Sequence, residues 1–198
     1  RAANQIIVAG LDEAFPEDAI LAEESADSEE RLAHERVWIV DPLDGTKEFL
    51  AGNGEFAVMI GLAQGGEPVL GIVYLPATDT LYRAARGAGA FVERPGGLME
   101  RLHVSAGRHP PRMIASRSHR DETIDRIRAK LGALEPTRSG SVGVKCVRIA
   151  EGTHDLYVHP VPFLCEWDTC APEVIASEAG ARVTGCRQGR PGRRLHAD

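Results

Sequence analysis

Two apolar periods alternate along this chain of 198 residues. Between Ala2 and Phe15, Ile6, Ile7, Leu11 and Ala14 recur at helical spacing and Pro16 ends the run, so the pattern predicts a helix. No capping residue precedes Arg1, and that element is expected to begin upstream. A short apolar step, Ala19-Ile20-Leu21, lies within Asp18 to Glu24. The acidic stretch from Asp27 to Glu35 has no apolar period and is expected to be a solvated loop or a short exposed helix. Val37-Trp38-Ile39-Val40 is short, continuous, β-branched and aromatic, the pattern of a buried strand. Phe56 to Ala63, Pro68 to Leu75 and Thr80 to Ala84 are strand-like runs separated by Gly65-Gly66 and Pro76-Ala77-Thr78-Asp79. They predict an antiparallel meander, which Gly87 to Val92 continues.

The later pattern mixes periods. Arg112 to Ser116 reads as a strand, and Glu122 to Leu131 as a helix with Ile124, Ile127 and Leu131 on one face. Val142 to Ala150 reads as a helix after Ser-Gly-Ser, and His154 to His159 as a strand. Ala171 to Ala179 reads as a helix closed by Gly180. Antiparallel strands mixed with helices predict layered α+β architecture rather than the regular alternation of a Rossmann fold. The stretch from Arg187 to Asp198 is rich in Arg and Gly and is expected to be an unstructured tail.

Composition narrows the function classes. With 43% apolar residues the chain can build a packed core. Its formal charge of −6 argues against a surface that wraps nucleic acid. No apolar run approaches the roughly 20 residues that span a bilayer. The four cysteines form no CxxC pair, so a reduced, cytoplasmic chain is expected.

The candidate chemistry centres on Asp41-Pro42-Leu43-Asp44-Gly45-Thr46, which follows the buried strand directly. Two carboxylates at the end of a buried strand are unfavourable unless a cation sits between them. Gly45 permits a close backbone approach, and the Gly45 and Thr46 amides open the next segment as an anion site. A lone D-x-x-D is often only an Asx-turn with an N-cap; the whole strand-turn unit favours Mg²⁺ beside phosphate. Glu23-Glu24 and Glu166-Trp167-Asp168 could complete an oxygen cage. Adjacent glutamates are ordinarily surface charge, and Asp168 could simply cap the helix after it. The segment from Ser139 to Lys145 reads as helix capping with tight packing, and Ser116 to Arg120 as a polar turn or a phosphate or ribose contact.

Three segments carry a resemblance: AEES at 22–25, WIVDPLDGTKEF at 38–49 and WDTCAPEVIASEAGARVTG at 167–185. They resemble the Mg²⁺-dependent, lithium-sensitive phosphatases of the inositol monophosphatase superfamily. GTKEF, SRSH and SGSVGVK are most similar to its CysQ branch, the 3′(2′),5′-bisphosphate nucleotidases. The resemblance implies a layered αβαβα sandwich with mixed and antiparallel sheets, often dimeric. It implies one phosphatase unit over 1–186, with subregions of roughly 1–110 and 111–186. Metal ligands would be Glu23, Asp41, Asp44, Asp168 and the carbonyl of Leu43, with Asp41 bridging. Thr46 would orient the attacking water, so Thr46, Asp41 and Glu23 would form the catalytic set. Gly45 and Thr46 would hold the phosphate. Lys47, Ser118, His119, Ser139, Gly140, Lys145 and Asp168 would surround the rest of the nucleotide. Two or three Mg²⁺ ions are implied, with Mn²⁺ as a substitute and Li⁺ as an inhibitor.

The implied reaction is hydrolysis of the 3′-phosphate of adenosine 3′,5′-bisphosphate to AMP and phosphate, in sulfate assimilation or nucleotide clearance. An inositol 1-phosphate or broad sugar-phosphate phosphatase would share every metal ligand. A non-catalytic anion-binding relative is the third reading. Family members usually carry a T-x-A-D segment just before the position of Arg1, whose Asp partners the water-activating threonine. A closing strand and helix are also expected after the present end. The chain is therefore expected to be a piece of a longer protein, with low activity on its own.

Overall fold

The computed structural model describes residues 1–118, 122–160, 164–187 and 190–192. Helix α1 (Ala2–Ala14) leads into β1 (Ala19–Ala22), a 3₁₀ turn at Glu29–Ala33, and β2 (Arg36–Asp44). A five-residue helix, α2 (Thr46–Leu50), separates β2 from a meander of β3 (Ala57–Gln64), β4 (Glu67–Leu75), β5 (Thr80–Ala85), β6 (Gly89–Glu93) and β7 (Glu100–Arg101). These seven strands form one sheet in chain order, with β1 parallel to β2 and every later pair antiparallel.

The second half builds a smaller parallel sheet from β8 (Met113–Ser116), β9 (Thr137–Ser139) and β10 (Leu156–Tyr157), in the order β10-β8-β9. Helix α3 (Glu122–Leu131) covers it, with Ile124 buried beside Met113 and Ala115. Helices α4 (Val142–Ala150) and α5 (Glu166–Glu178) pack on the large sheet, and α4 also touches β10. Helix α1 lies against β1 and β2, with Phe15 stacked on Trp38, whose strand neighbours Val37 and Ile39 share the opposite cluster with Cys170 of α5. The result is the layered αβαβα arrangement expected from the sequence.

The main core lies between the large sheet and α4–α5, where Met59, Val73, Tyr82, Val147 and Ile175 are almost fully buried. Helix α5 reaches the sheet closely because Gly61 and Gly71 are paired across β3 and β4 beneath it. A Cβ on Gly71 would lie 2.3 Å from the Ala171 carbonyl oxygen, and one on Gly61 would lie 2.5 Å from Cys170 Sγ. The glycine pair therefore sets how near the start of α5 comes to the end of β2.

Several boundaries differ from the sequence reading. Helix α5 begins at Glu166, five residues before the expected Ala171, because Cys165 and Asp168 close a capping box ahead of it. Asp168 is therefore the third residue of the helix rather than its N-cap. Pro172 falls inside, where it removes one backbone donor without ending the helix. Only Leu156–Tyr157 of the expected strand from His154 to His159 pairs with a neighbour. Leu131, expected on the buried face of α3, is exposed at its end. β11 (Gly185–Arg187) pairs antiparallel with β12 (Arg190–Gly192), so the stretch read as a tail from Arg187 begins in a strand pair; residues 188–189 and 193–198 lie outside the described residues.

Candidate active site

A register shift in β2 builds the acidic centre. Asp41 pairs with Met59 and Asp44 with Ala57, so three steps on β2 match two on β3. Strict alternation would place residues three apart on opposite faces of the sheet; one extra residue restores them to the same face. Pro42, which has no backbone donor to lose, lies in the bulge. Both carboxylates thus point to the side where α4 and α5 pack.

Each carboxylate is fixed by backbone. Asp41 Oδ1 accepts the Leu43 N–H at 2.9 Å. Asp44 accepts the Val142 N–H at 3.2 Å, the Gly143 N–H at 2.7 Å and the Ser141 hydroxyl, all at the start of α4. Asp168 Oδ2 accepts the Cys165 N–H at 2.7 Å. One oxygen from each of Asp41, Asp44 and Asp168 falls within 4.8 Å of the others. Three acids this close, with Asp41 only 2% exposed and Asp44 7% exposed, repel each other in poor solvent. Burial first, then the charges of Asp44 and Glu23, push the Asp41 carboxyl up to about 9. Burial likewise raises Asp168. An all-oxygen donor set supplied by β2 and α5 fits a hard divalent cation, which would relieve that repulsion.

Glu23 stands just past β1, where its N–H donates to the Val40 carbonyl at 3.1 Å. Parallel pairing of Ala22 with Val40 therefore brings it beside Asp41, whose proton it favours by charge and by a side-chain hydrogen bond. It is exposed, at the mouth of the site rather than in the tight triad. Glu24 turns instead to the amino terminus of Arg1, at 2.8 Å.

The other predicted residues lie along two segments. Gly45 caps α2 with φ +90°, and a Cβ there would meet the Glu55 carbonyl oxygen at 2.9 Å, so glycine is required on both counts. Thr46 is exposed and its hydroxyl donates to the Leu43 carbonyl at 3.2 Å; Lys47 is also exposed. Ser118 donates to Glu48 Oε1 at 3.2 Å, and His119 lies outside the described residues. Ser139 is 4% exposed, and its hydroxyl finds no partner among the described residues. Gly140 donates its N–H to Glu55 Oε2 at 3.0 Å. Lys145 is 1% exposed; its ammonium donates to the carbonyls of Ser141, at 2.6 Å, and Gly140, and sits 5.3 Å from the Tyr157 ring centre. Burial lowers the pKa of this amine against the pull of Asp44.

Three contributors were not among the predicted site residues. Ser141 caps α4 through the Val144 N–H at 2.9 Å while also holding Asp44. Glu55 accepts Arg117 through two bonds, at 2.6 and 3.2 Å, in addition to Gly140. Glu48 is buried against Gly140, where an added Cβ would fall 2.1 Å from its carboxyl carbon. Ser before an apolar helix was a usable signal for the cap. Nothing local to Glu48 or Glu55 marks them, because their partners are 70 and 85 residues away.

Comparison with known proteins identifies relatives of the whole chain. The inositol monophosphatase family profile matches residues 1–197. The chain is 42% identical over 183 residues to the 3′(2′),5′-bisphosphate nucleotidase CysQ of Salmonella typhimurium, covering 92% of this chain and 72% of that protein. It is 40% identical over 191 residues to the CysQ of Escherichia coli K12, covering 96% and 75%. The crystal structure of CysQ from Bacteroides thetaiotaomicron superposes with a TM-score of 0.76 at 38% identity, covering 89% of this chain and 71% of that one.

Proposed function

The chain belongs to the inositol monophosphatase family, and from that premise we propose that it is a 3′(2′),5′-bisphosphate nucleotidase that removes the 3′-phosphate of adenosine 3′,5′-bisphosphate. The observation that carries the reading is the triad of buried Asp41 and Asp44 with half-buried Asp168, pinned by backbone and pressed together at one end of the large sheet. The names of its CysQ relatives supply the substrate.

Asp41, Asp44 and Asp168, with Glu23 beside them and the Leu43 carbonyl at the bulge, would hold two or three Mg²⁺ ions; Mn²⁺ would substitute and Li⁺ would inhibit. Divalent cations bound there would neutralise charge on the phosphoryl group and ease removal of a proton from water. The protein's own part is positional. The three carboxylates are held by N–H donors and cannot turn away from the centre. Thr46 gives its proton to the Leu43 carbonyl, so its oxygen lone pair is left to accept a hydrogen from the attacking water. The Gly45 and Thr46 amides open α2 next to Asp44 and would hold phosphoryl oxygens. In the net reaction a P–O bond forms to water and the P–O3′ bond breaks. The O3′ leaves with one proton from that water, giving AMP and phosphate.

Lys145 is spent on backbone carbonyls beneath Tyr157, so it would shape the turn from Ser139 to Ser141 rather than touch substrate directly. Exposed Lys47 and Ser118 would meet the remainder of the nucleotide. No helix among the described residues is long and apolar enough to cross a membrane. We carry a cytoplasmic site of action and a homodimer as parts of the same proposal.

The decisive experiment compares phosphate release from adenosine 3′,5′-bisphosphate and inositol 1-phosphate at equal Mg²⁺. A kcat/KM at least about a hundredfold higher for the nucleotide is expected, as when a site loses several specific polar contacts. Equal rates, or preference for the inositol ester, would replace this reading with the inositol-phosphate one.

A further inference from the structure

A cavity distinct from the acidic centre lies at the opposite end of α4. Its volume is about 520 Å³, and none of the acidic ligands lines it. The cross-strand row Asp41–Met59–Val73–Tyr82 places its floor three strands from the triad, about 14 Å at ordinary strand spacing. Arg94 and Arg148 form its walls, with Tyr82, Glu151, Thr80 and Thr153 beside them.

The two guanidinium groups are held in place by one carboxylate. Glu151, only 8% exposed, accepts the Tyr82 hydroxyl at 2.8 Å and Arg94 at 2.8 Å on one oxygen, and Arg148 at 2.9 Å on the other. Three of its roughly four acceptor sites are thus taken, while both arginines remain more than two-fifths exposed. Arg148 uses only one nitrogen in this pair; its Nε and Nη2 donate to nothing among the described residues. Arg94 adds a long 3.4 Å contact to Glu100, which is 67% exposed and weakly opposed to it. Two cations against one buried anion leave the lining with an excess positive charge.

The negative end of α4 opposes an anion here, but its carbonyls are already occupied. Those of Val147, Arg148 and Ile149 accept the N–H groups of Glu151, Thr153 and Gly152, and Arg148 also accepts the Thr153 hydroxyl at 2.8 Å. Planar guanidinium groups gathered on one carboxylate match tetrahedral oxyanions bearing more than one charge. The volume exceeds a bare phosphate and falls in the range of small-ligand sites. We propose that this cavity is a second, metal-independent site that binds a small phosphomonoester, its phosphate between Arg94 and Arg148.

The test uses EDTA-treated protein, in which the uncompensated triad repels phosphate, so that any saturable binding reports a different site. Titration calorimetry is run with AMP and, separately, with inorganic phosphate. One AMP per chain is expected, with inorganic phosphate competing more weakly for the same site. Arg148→Met and Arg94→Met should each weaken AMP binding about tenfold, the loss of a charge-assisted pair. Arg148→Lys, which keeps the charge and the fold but loses the fork, should fall between, and serves if Arg148→Met fails to fold by circular dichroism. Absence of saturable AMP binding in EDTA, or binding unchanged in folded arginine variants, overturns the proposal. Phosphate binding that excludes AMP overturns the ester assignment. None of these results depends on which substrate is hydrolysed at the acidic centre.

Discussion

Stripping divalent cations should make this protein less stable as pH rises, and Asp41→Asn should abolish most of that loss. The sign follows from the direction of the shift. Asp41 is held at about 9 in the folded chain, well above an unfolded carboxyl. Its contribution is fully present below the unfolded value and is lost as pH rises towards the folded one. Between pH 5 and 8 the metal-free protein should therefore lose about 1.4 kcal/mol per pH unit from this group. By pH 7 the accumulated loss is about 4 kcal/mol, an upper figure because water reaches the mouth beside Glu23. Asp168, raised by burial, acts in the same direction. The carboxyl of Asp155 is shifted the opposite way by Arg112, but its effect falls below pH 4, outside the window.

Asparagine mimics the protonated acid and still offers a donor to Glu23. At pH 4 the two proteins should be equally stable. At pH 7 in EDTA the variant should be more stable by about 4 kcal/mol or somewhat less. Urea unfolding in EDTA at unit pH steps, followed by the fluorescence of Trp38 and Trp167, measures both curves. Adding Mg²⁺ to about a hundred times its Kd should return about 2.7 kcal/mol to the wild type and little to the variant. A flat or rising wild-type curve between pH 5 and 8, or a variant no more stable than wild type at pH 7, would refute the account of a frustrated acidic cluster.

In Mg²⁺ the same Asp41→Asn change should lower kcat for phosphate release at least about a thousandfold with the fold intact, read by a phosphate assay beside circular dichroism. Ser141→Ala removes both the cap of α4 and a donor to Asp44; it should lower stability by about 1–2 kcal/mol and weaken Mg²⁺ binding by calorimetry. Gly71→Ala sets a methyl against the Ala171 carbonyl, so it should cost about 1–3 kcal/mol in urea unfolding and reduce kcat by moving Asp168. Asp155→Asn weakens the paired bonds of Arg112 and should lower the urea midpoint in the same assay without altering Mg²⁺ affinity.

What the sequence disclosed follows the range of the interactions involved. The strand ending at Asp44, the meander after it and α4 from Val142 to Ala150 were legible because apolar period and turn residues act within a few positions. The start of α5 was misplaced because the capping box that sets it needs Cys165 and Asp168 to be weighed together. Asp41, Asp44 and Asp168 stood out as acids beside a buried strand and a helix, and the resemblance joined them. Spacing alone would have put the first two on opposite faces; the bulge at Pro42 and Leu43 that corrects this is visible only in the register. Glu48 and Glu55 were invisible because their meaning lies in Gly140, Ser118 and Arg117, far along the chain.

That division explains how a cluster of like charges can be folded at all. Strand β2 supplies two of the acids and a single amide, that of Leu43 in the bulge, to hold them. The compensation comes from elements of the second half. The first amides of α4 take the charge of Asp44, and the first turn of α5 holds Asp168 by the Cys165 N–H. Two helix N-termini, both lacking intrahelical acceptors, thus converge on one strand end, each satisfying its donors with a carboxylate. Asp41 receives only the local Leu43 N–H, and it is the acid driven furthest towards protonation. The residue least compensated by the fold is accordingly the one whose charge a bound cation must balance, which makes Asp41 the position where metal affinity and metal-free instability should prove to be the same quantity.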